Sequence, residues 1–248
     1  ERHGNINEYA KAKLKLIFNQ VKNSHSYIEK NNSFINRNIL NKKIKSNLHK
    51  FNYDKENFFK NRIKNKYLLD KNNLKNIHIV YLISKKFKFK DKKIFKSLNK
   101  FKGLKFRNQI IHNKNKIVIV NDSKSTSFSS TTGLLSTYKN IYWVVGGMFK
   151  KDDKFNLEKK YYKNIKAYII GLNKNFFIGQ FKKKIKFKYL KNLKKDVLEI
   201  KKDIKNDFNQ KIILFSPAAA SFDQFKNFEE RGEYFNKMVK KIILKTKR

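Results

Sequence analysis

Two strings in the second half of the chain set charged side chains directly behind apolar, β-branched runs. KIVIVN at 116–121 leads into Asp122-Ser123-Lys124-Ser125-Thr126, and IYWVVG at 141–146 leads into Gly147-Met148-Phe149-Lys150. A carboxylate and an ammonium just past a buried strand and ahead of a helix suit a phosphate and its counter-ion, because the first N–H groups of a helix have no intrahelical partner. Asp, Ser and Thr also begin helices as plain N-caps, and on residue type alone the two readings weigh equally. Lys150, after a double glycine, could clamp a carboxylate, although Lys151 and Lys154 beside it make a solvated lysine the simpler reading. A third apolar run, KIILFS at 211–216, opens into Pro217-Ala218-Ala219-Ala220-Ser221-Phe222-Asp223-Gln224-Phe225. Taken alone, Ser221 there reads as a helix cap and Phe228 as core.

Other chemistries are closed off. There is no cysteine, so neither disulfides nor thiolate metal sites can form. The five histidines, His3, His25, His49, His78 and His112, show no HxxxH spacing, and a zinc enzyme is not expected. No apolar run reaches the roughly eighteen residues of a membrane span, and the opening ERHGNINEYAKAKLKL lacks the apolar core of a signal peptide. A soluble, cytoplasmic protein without membrane partners is the expectation. The same opening has no initiator Met and reads as part of a longer protein that lacks an amino-terminal segment.

The formal charge of +42 invites a basic nucleic-acid-binding module as the alternative reading. Only six of the 61 basic residues are Arg, the side chain that phosphate and base recognition favour, and the lysines run from end to end with Asn and Ile. That uniform spread is expected of compositional bias on solvated faces, so no specific nucleic acid is expected as partner.

The elements that must position these residues follow from periodicity. Apolar residues at helical spacing predict helices over about 7–23, 71–87 and 93–99, while 24–68 reads as irregular, with short strands or loops. After Phe101 strands and helices alternate: strands at 116–121, 141–146, 167–171 and 211–216, and helices at about 126–139, 156–164, 191–204 and 226–245. Such alternation predicts an α/β doubly wound sheet, whose ligands sit at the carboxyl ends of the strands.

Four strings occur in a telling order: NDSKST at 121–126, GGMFK at 146–150, SPAAASFDQF at 216–225 and KNFEERG at 226–232. Together they resemble the carboxy-terminal domain of the Mur ligases, specifically the UDP-N-acetylmuramoylalanine D-glutamate ligases. Gly103-Leu104-Lys105-Phe106-Arg107 looks like that family's GLPHR, Asn73 and Asn76 fit its HNxxN helix, and Arg2-His3-Gly4 with Tyr9-Ala10-Lys11-Ala12-Lys13 resembles the end of its central nucleotide loop. Two departures stand out: Phe106 and Asn72 occupy positions where the family has histidine. No GxxxxGK[ST] phosphate loop is present in the chain.

The resemblance implies residues 1–101 as the carboxy-terminal part of a central ATPase-type domain, lacking its phosphate loop, and 102–248 as a Rossmann-like, glutamate-binding domain with a mostly parallel sheet. It implies ATP and Mg²⁺ as cofactors, with UDP-N-acetylmuramoyl-L-alanine and D-glutamate as substrates. Asp122, Arg107, Asn73 and Asn76 would serve the nucleotide, and Lys124 its phosphates and the glutamate. Thr126, Lys150, Ser221, the backbone at Phe222, and Phe228 would hold D-glutamate. Lys13 would be carbamylated into a Mg²⁺ ligand, with Tyr9 orienting it one turn earlier. The 248 residues alone are expected not to turn over.

Overall fold

The computed structural model describes residues 5–65, 68–69 and 71–244, with residues 71 and 72 described by backbone only. Arg2-His3-Gly4 lies outside the described residues. The chain divides into two compact units, Glu1–Phe101 and Lys102–Arg248.

In the first unit, α1 (Ile6–Phe18) starts at Asn5, whose side chain accepts the Glu8 N–H at 3.0 Å, and stops at Asn19, short of the expected end. The stretch that reads as irregular in sequence holds β1 (His25–Glu29), α2 (Ser33–Ile39), β2 (Asn47–Phe51) and α3 (Glu56–Lys60), with β1 and β2 paired in parallel. Those strands are five residues long and carry His, Asn and Lys in place of clean alternation, so period-2 patterning cannot mark them. Helices α4 (Lys71–Lys86) and α5 (Asp91–Lys100) match expectation and close over an aromatic core of Phe59, Tyr81 and Phe95 with Ile77 and Ile94.

The second unit is a six-stranded sheet in the order β3-β4-β8-β5-β6-β7. Its strands are β3 (Gln109–Lys114), β4 (Ile117–Asn121), β5 (Ile141–Gly146), β6 (Ile165–Ile170), β7 (Lys186–Lys191) and β8 (Lys211–Phe215). All pairings are parallel except the antiparallel β3–β4 edge. Helices α6 (Phe128–Thr137), α7 (Lys174–Phe181), α8 (Leu193–Asp203) and α9 (Phe228–Val239) cover its faces. Every residue of β5 and β8 is buried, as strands with both faces covered must be. Alternate β5 residues serve opposite cores: Trp143 joins Phe128, Phe155, Phe177 and Phe181, whereas Val144 joins Ile200, Phe215 and Phe235.

The predicted strands and the helices at 128–137 and 193–203 are in place, with two changes of type. Residues 159–164 form a 3₁₀ helix, and α9 gives way to a wider turn of helix at Lys240–Leu244. β3, β7 and α7 carry no clear sequence signal. Both strands lie at sheet edges and carry polar residues, Gln, His, Asn and Lys in β3 and three lysines in β7, and α7 buries Phe177 and Phe181 within an otherwise mixed string.

Candidate functional site

Parallel strands in one sheet end on the same side, so the loops after β4, β5, β6 and β8 gather at one edge. Three of them are bonded together. Met148 and Ala220 exchange backbone hydrogen bonds at 3.0 and 2.9 Å, which lays the GGMFK loop along the SPAAAS loop. The Gly146 N–H donates to Pro217 O at 2.9 Å, and Asn173 Nδ2, just after β6, donates to Gly147 O at 3.2 Å. Gly147 has φ +135°, and a Cβ there would lie 2.5 Å from the Ala220 carbonyl oxygen, so the close approach of these loops requires glycine.

Asp122 is buried at the end of β4. Its Oδ1 accepts the Asn108 N–H at 3.1 Å and its Oδ2 the Ser216 hydroxyl at 2.7 Å. Burial pushes its carboxyl up to about 6, against the pull of Ser216, Asn108 and the Arg107 and Arg231 guanidiniums. It is not the helix cap that its residue type allows, because α6 is capped by Ser127 in a capping box with Ser130. Lys124 is half-buried, with its N–H on Phe106 O at 3.0 Å and its ammonium 3.8 Å from the centre of the Phe228 ring. Phe228 is therefore less a core residue than a half-buried platform under a cation.

Ser221 is buried, and its carbonyl turns the chain by accepting the Gln224 and Phe225 N–H groups. It caps no helix, since α9 begins at Phe228 behind Asn227. Phe222 is exposed, as are Thr126, Lys150 and Arg107 at the rim. Lys150 belongs to a turn in which its carbonyl accepts the Asp153 N–H, and the Asp153 carboxylate in turn accepts the Phe128 N–H at 2.7 Å. The loop carrying Lys150 is thereby tied to the first turn of α6. Asp122, Lys124, Thr126, Lys150 and Ser221 thus lie on the loops of one sheet edge, with Phe228 at the start of the helix that follows the last of them.

Lys13, Asn73 and Asn76 belong to the first unit. Lys13 is exposed on α1, its ammonium 5.5 Å from the centre of the Tyr9 ring. Asn73 and Asn76, one turn apart on α4, are half-buried and exposed respectively.

Two residues that lie within the family-like strings, but to which the sequence assigns no role, matter here. Arg231 on α9 is fully buried: Nε donates to Ser123 Oγ at 3.2 Å and Nη2 to Ser123 O at 2.7 Å. Its Nη1 has no hydrogen-bond partner, and burial lowers the guanidinium to about 10, still charged at neutral pH. Asn121, also fully buried, donates to Gly232 O and Asn236 Oδ1 and so fastens α9 to β4. A lone Arg ahead of a helical Gly, among so many lysines, is the one signal that marked Arg231 out.

Among the described residues, no group of three or more His, Cys, Asp or Glu side chains could hold a metal ion. No described helix is long and apolar enough to cross a membrane.

No protein-family model matches the chain. It is similar to the UDP-N-acetylmuramoylalanine–D-glutamate ligase of Rickettsia prowazekii, 32% identical over 259 residues that take in 97% of this chain and 58% of that protein. The enzyme of the same name from the Wolbachia of Brugia malayi is 36% identical over 171 residues, 68% of this chain and 34% of that protein. The chain thus spans between about a third and three fifths of the length of these relatives. The solved UDP-N-acetylmuramate–alanine ligase of Thermotoga maritima overlaps 69% of this chain and 38% of its own at 14% identity, with a TM-score of 0.48. By its likeness along nearly its whole length to a UDP-N-acetylmuramoylalanine–D-glutamate ligase, the chain belongs to the Mur ligase family.

Proposed function

We propose that this chain is the acceptor-binding part of an ATP-dependent ligase that joins D-glutamate to UDP-N-acetylmuramoyl-L-alanine in cytoplasmic peptidoglycan precursor synthesis. The observation that carries the reading is the gathering of the Asp122–Thr126, Gly147–Lys150 and Ser216–Phe228 loops at one sheet edge in a chain with such relatives. In this reading ATP activates the carboxylate of the UDP-linked substrate as an acyl phosphate, and the amine of D-glutamate displaces phosphate.

The residues present suit a nucleotide. The Asp122 carboxylate accepts two hydrogen bonds and has capacity for more, and Asn108 Oδ1 in the loop bonded to it is buried without a hydrogen-bond partner, which leaves acceptor capacity of the kind that ribose hydroxyls use. Arg107 and Lys124 supply positive charge for phosphate oxygens. Asn73 and Asn76 are proposed to serve the adenine. The described residues do not by themselves compose a Mg²⁺ site: no group of three or more His, Cys, Asp or Glu side chains is found among them, and Lys13, if carbamylated, would add oxygen donors from a single side chain.

Thr126, Lys150, Ser221, the Phe222 backbone and Phe228 are proposed to hold D-glutamate. Lys150 would pair with a carboxylate, while Phe228, already under the Lys124 ammonium, would pack on the substrate's stem and keep that cation aimed. The amine is then presented by side chains fixed on loops that hydrogen bonds hold together, which is the positioning a displacement needs. Without a phosphate loop in these 248 residues, the chain alone is expected to release no ADP when given ATP, D-glutamate and the UDP-linked precursor.

Calorimetric titration with D-glutamate, L-glutamate and a short DNA duplex at moderate salt, on wild type and Lys150→Ala, tests the reading. Binding selective for D-glutamate and lost in Lys150→Ala is expected. Equal binding of both enantiomers, or duplex binding with a steep salt dependence and no response to D-glutamate, would overturn it in favour of a polyanion-binding role.

A further inference from the structure

Behind Asp122 runs an unbroken line of side-chain hydroxyls. Ser216 Oγ lies 2.7 Å from Asp122 Oδ2, Thr131 Oγ1 lies 2.8 Å from Ser216 Oγ, and Ser125 Oγ lies 2.6 Å from Thr131 Oγ1. Ser130 Oγ then lies 2.7 Å from Ser125 Oγ and 2.6 Å from Ser127 O. Thr131 and Ser216 are wholly buried and Ser125 nearly so, whereas Ser130 is exposed. The line therefore crosses the interior from the Asp122 carboxylate to the solvent-facing first turn of α6.

A hydroxyl carries one proton and can donate only once, so a line of them must be polarised in one of two senses. When Asp122 is ionised, Ser216 donates to it, Thr131 to Ser216, Ser125 to Thr131 and Ser130 to Ser125, so that Ser130 no longer donates to Ser127 O. When Asp122 holds a proton it donates to Ser216, and the order reverses as far as Ser130, which then donates to Ser127 O. Each hydroxyl keeps its own proton count in both senses. Neighbouring bonds in such a chain also strengthen one another, so a reversal at one end favours reversal throughout.

We propose that Ser216, Thr131 and Ser125 form a hydroxyl relay that couples the charge state of Asp122 to the hydrogen-bond polarity of the first turn of α6, beside Thr126. They are positioning residues: a hydroxyl or cation arriving at Asp122 fixes its ionised form, and the relay carries that change to the turn next to Thr126. That these two ends are the nucleotide and acceptor halves of one site rests on the proposed function. The relay itself rests on the hydrogen bonds, and its test requires no ligand. Among charged groups, Arg107 and Arg231 face Asp122, and Asp153 faces the amino end of α6 through the Phe128 N–H.

The test is NMR titration of the full chain between pH 4 and pH 8, following the Asp122 carboxyl carbon and the Ser125 and Ser130 amides. In wild type the amides are expected to titrate with the midpoint of Asp122, and Asp122→Asn to abolish that inflection while leaving any due to Asp153. Thr131→Val keeps shape but cuts the line. It should raise the Asp122 midpoint by about 0.5 pH, leave Ser130 no longer following it, and be rescued by Thr131→Ser. Ser125→Ala cuts the line at a different link and should uncouple Ser130 in the same way, which covers the case of one variant failing to fold. Ser130 following Asp122 with undiminished amplitude in either cut variant would overturn the relay, as would an inflection that survives Asp122→Asn at the same midpoint.

Discussion

Gly232 sits within α9 against the ring of Phe106, and a Cβ built on it would lie 2.3 Å from Phe106 Cδ1 and 2.8 Å from Cγ. The ring cannot easily retreat. Phe106 is buried with a left-handed φ of +61°, its N–H bonds Gln109 Oε1 and its carbonyl accepts the Lys124 N–H. Gly232→Ala should therefore cost about 2–3 kcal/mol of overpacking, less the ~1 kcal/mol that Ala gains over Gly in a helix. Phe106→Ala alone should cost about 3–5 kcal/mol through the lost burial and the cavity. In the Phe106→Ala background the clash is gone, so Gly232→Ala should become neutral or stabilising, a coupling of about 2–3 kcal/mol between the two sites. Urea unfolding followed by the fluorescence of Trp143, the single and fully buried tryptophan, reads this unit directly. Costs that add to within about 0.5 kcal/mol would refute the argument, since two residues not in contact behave that way.

Two further outcomes follow from burial and charge. Asp196, on α8, is wholly buried with both carboxylate oxygens lacking a hydrogen-bond partner, and burial raises its folded pKa well above the ordinary value. The folded state then holds a proton that the unfolded state has released, so stability falls as pH rises past the unfolded pKa. Asp196→Asn should accordingly stabilise more at pH 8 than at pH 4 in urea titrations; an equal gain at both would show the carboxyl to be ionised in the fold. With a formal charge of +42, self-repulsion should also outweigh the scattered surface ion pairs. Raising salt from about 0.01 M to about 1 M cuts the Debye length from about 30 Å to about 3 Å and should raise Tm in calorimetry. A fall in Tm would place the balance with the ion pairs.

The legible part of the fold is the part with strong periodicity. β4, β5, β6 and β8 read as strands because a sheet covered on both faces demands long apolar runs, and α8 because its apolar stripe recurs at helical spacing. β1, β2, β3 and β7 did not, since short strands carrying Lys, His and Asn satisfy their pairing through backbone bonds that leave no trace in side-chain pattern. The loops after β4, β5 and β8 were marked by residue type, but the role of Phe106 was not. Its replacement of a family histidine reads as a lost contact, whereas in the fold its ring fills the space over Gly232.

By itself, then, the sequence determined the chemistry on offer: no thiolate, a set of Asp, Lys, Ser and Thr behind apolar strands, and strings specific enough to resemble one ligase family. These are properties of residue type and local order, which survive without coordinates. Only the tertiary structure decided what those residues meet. The order β4-β8-β5 inserts the last strand between two that precede it, which sets Ser216 on Asp122 across 94 positions of chain, Arg231 on Ser123 across 108, and Asn121 on Gly232 across 111. Contacts of that separation are fixed by sheet pairing and by the burial of both faces, and no local pattern of residues encodes them.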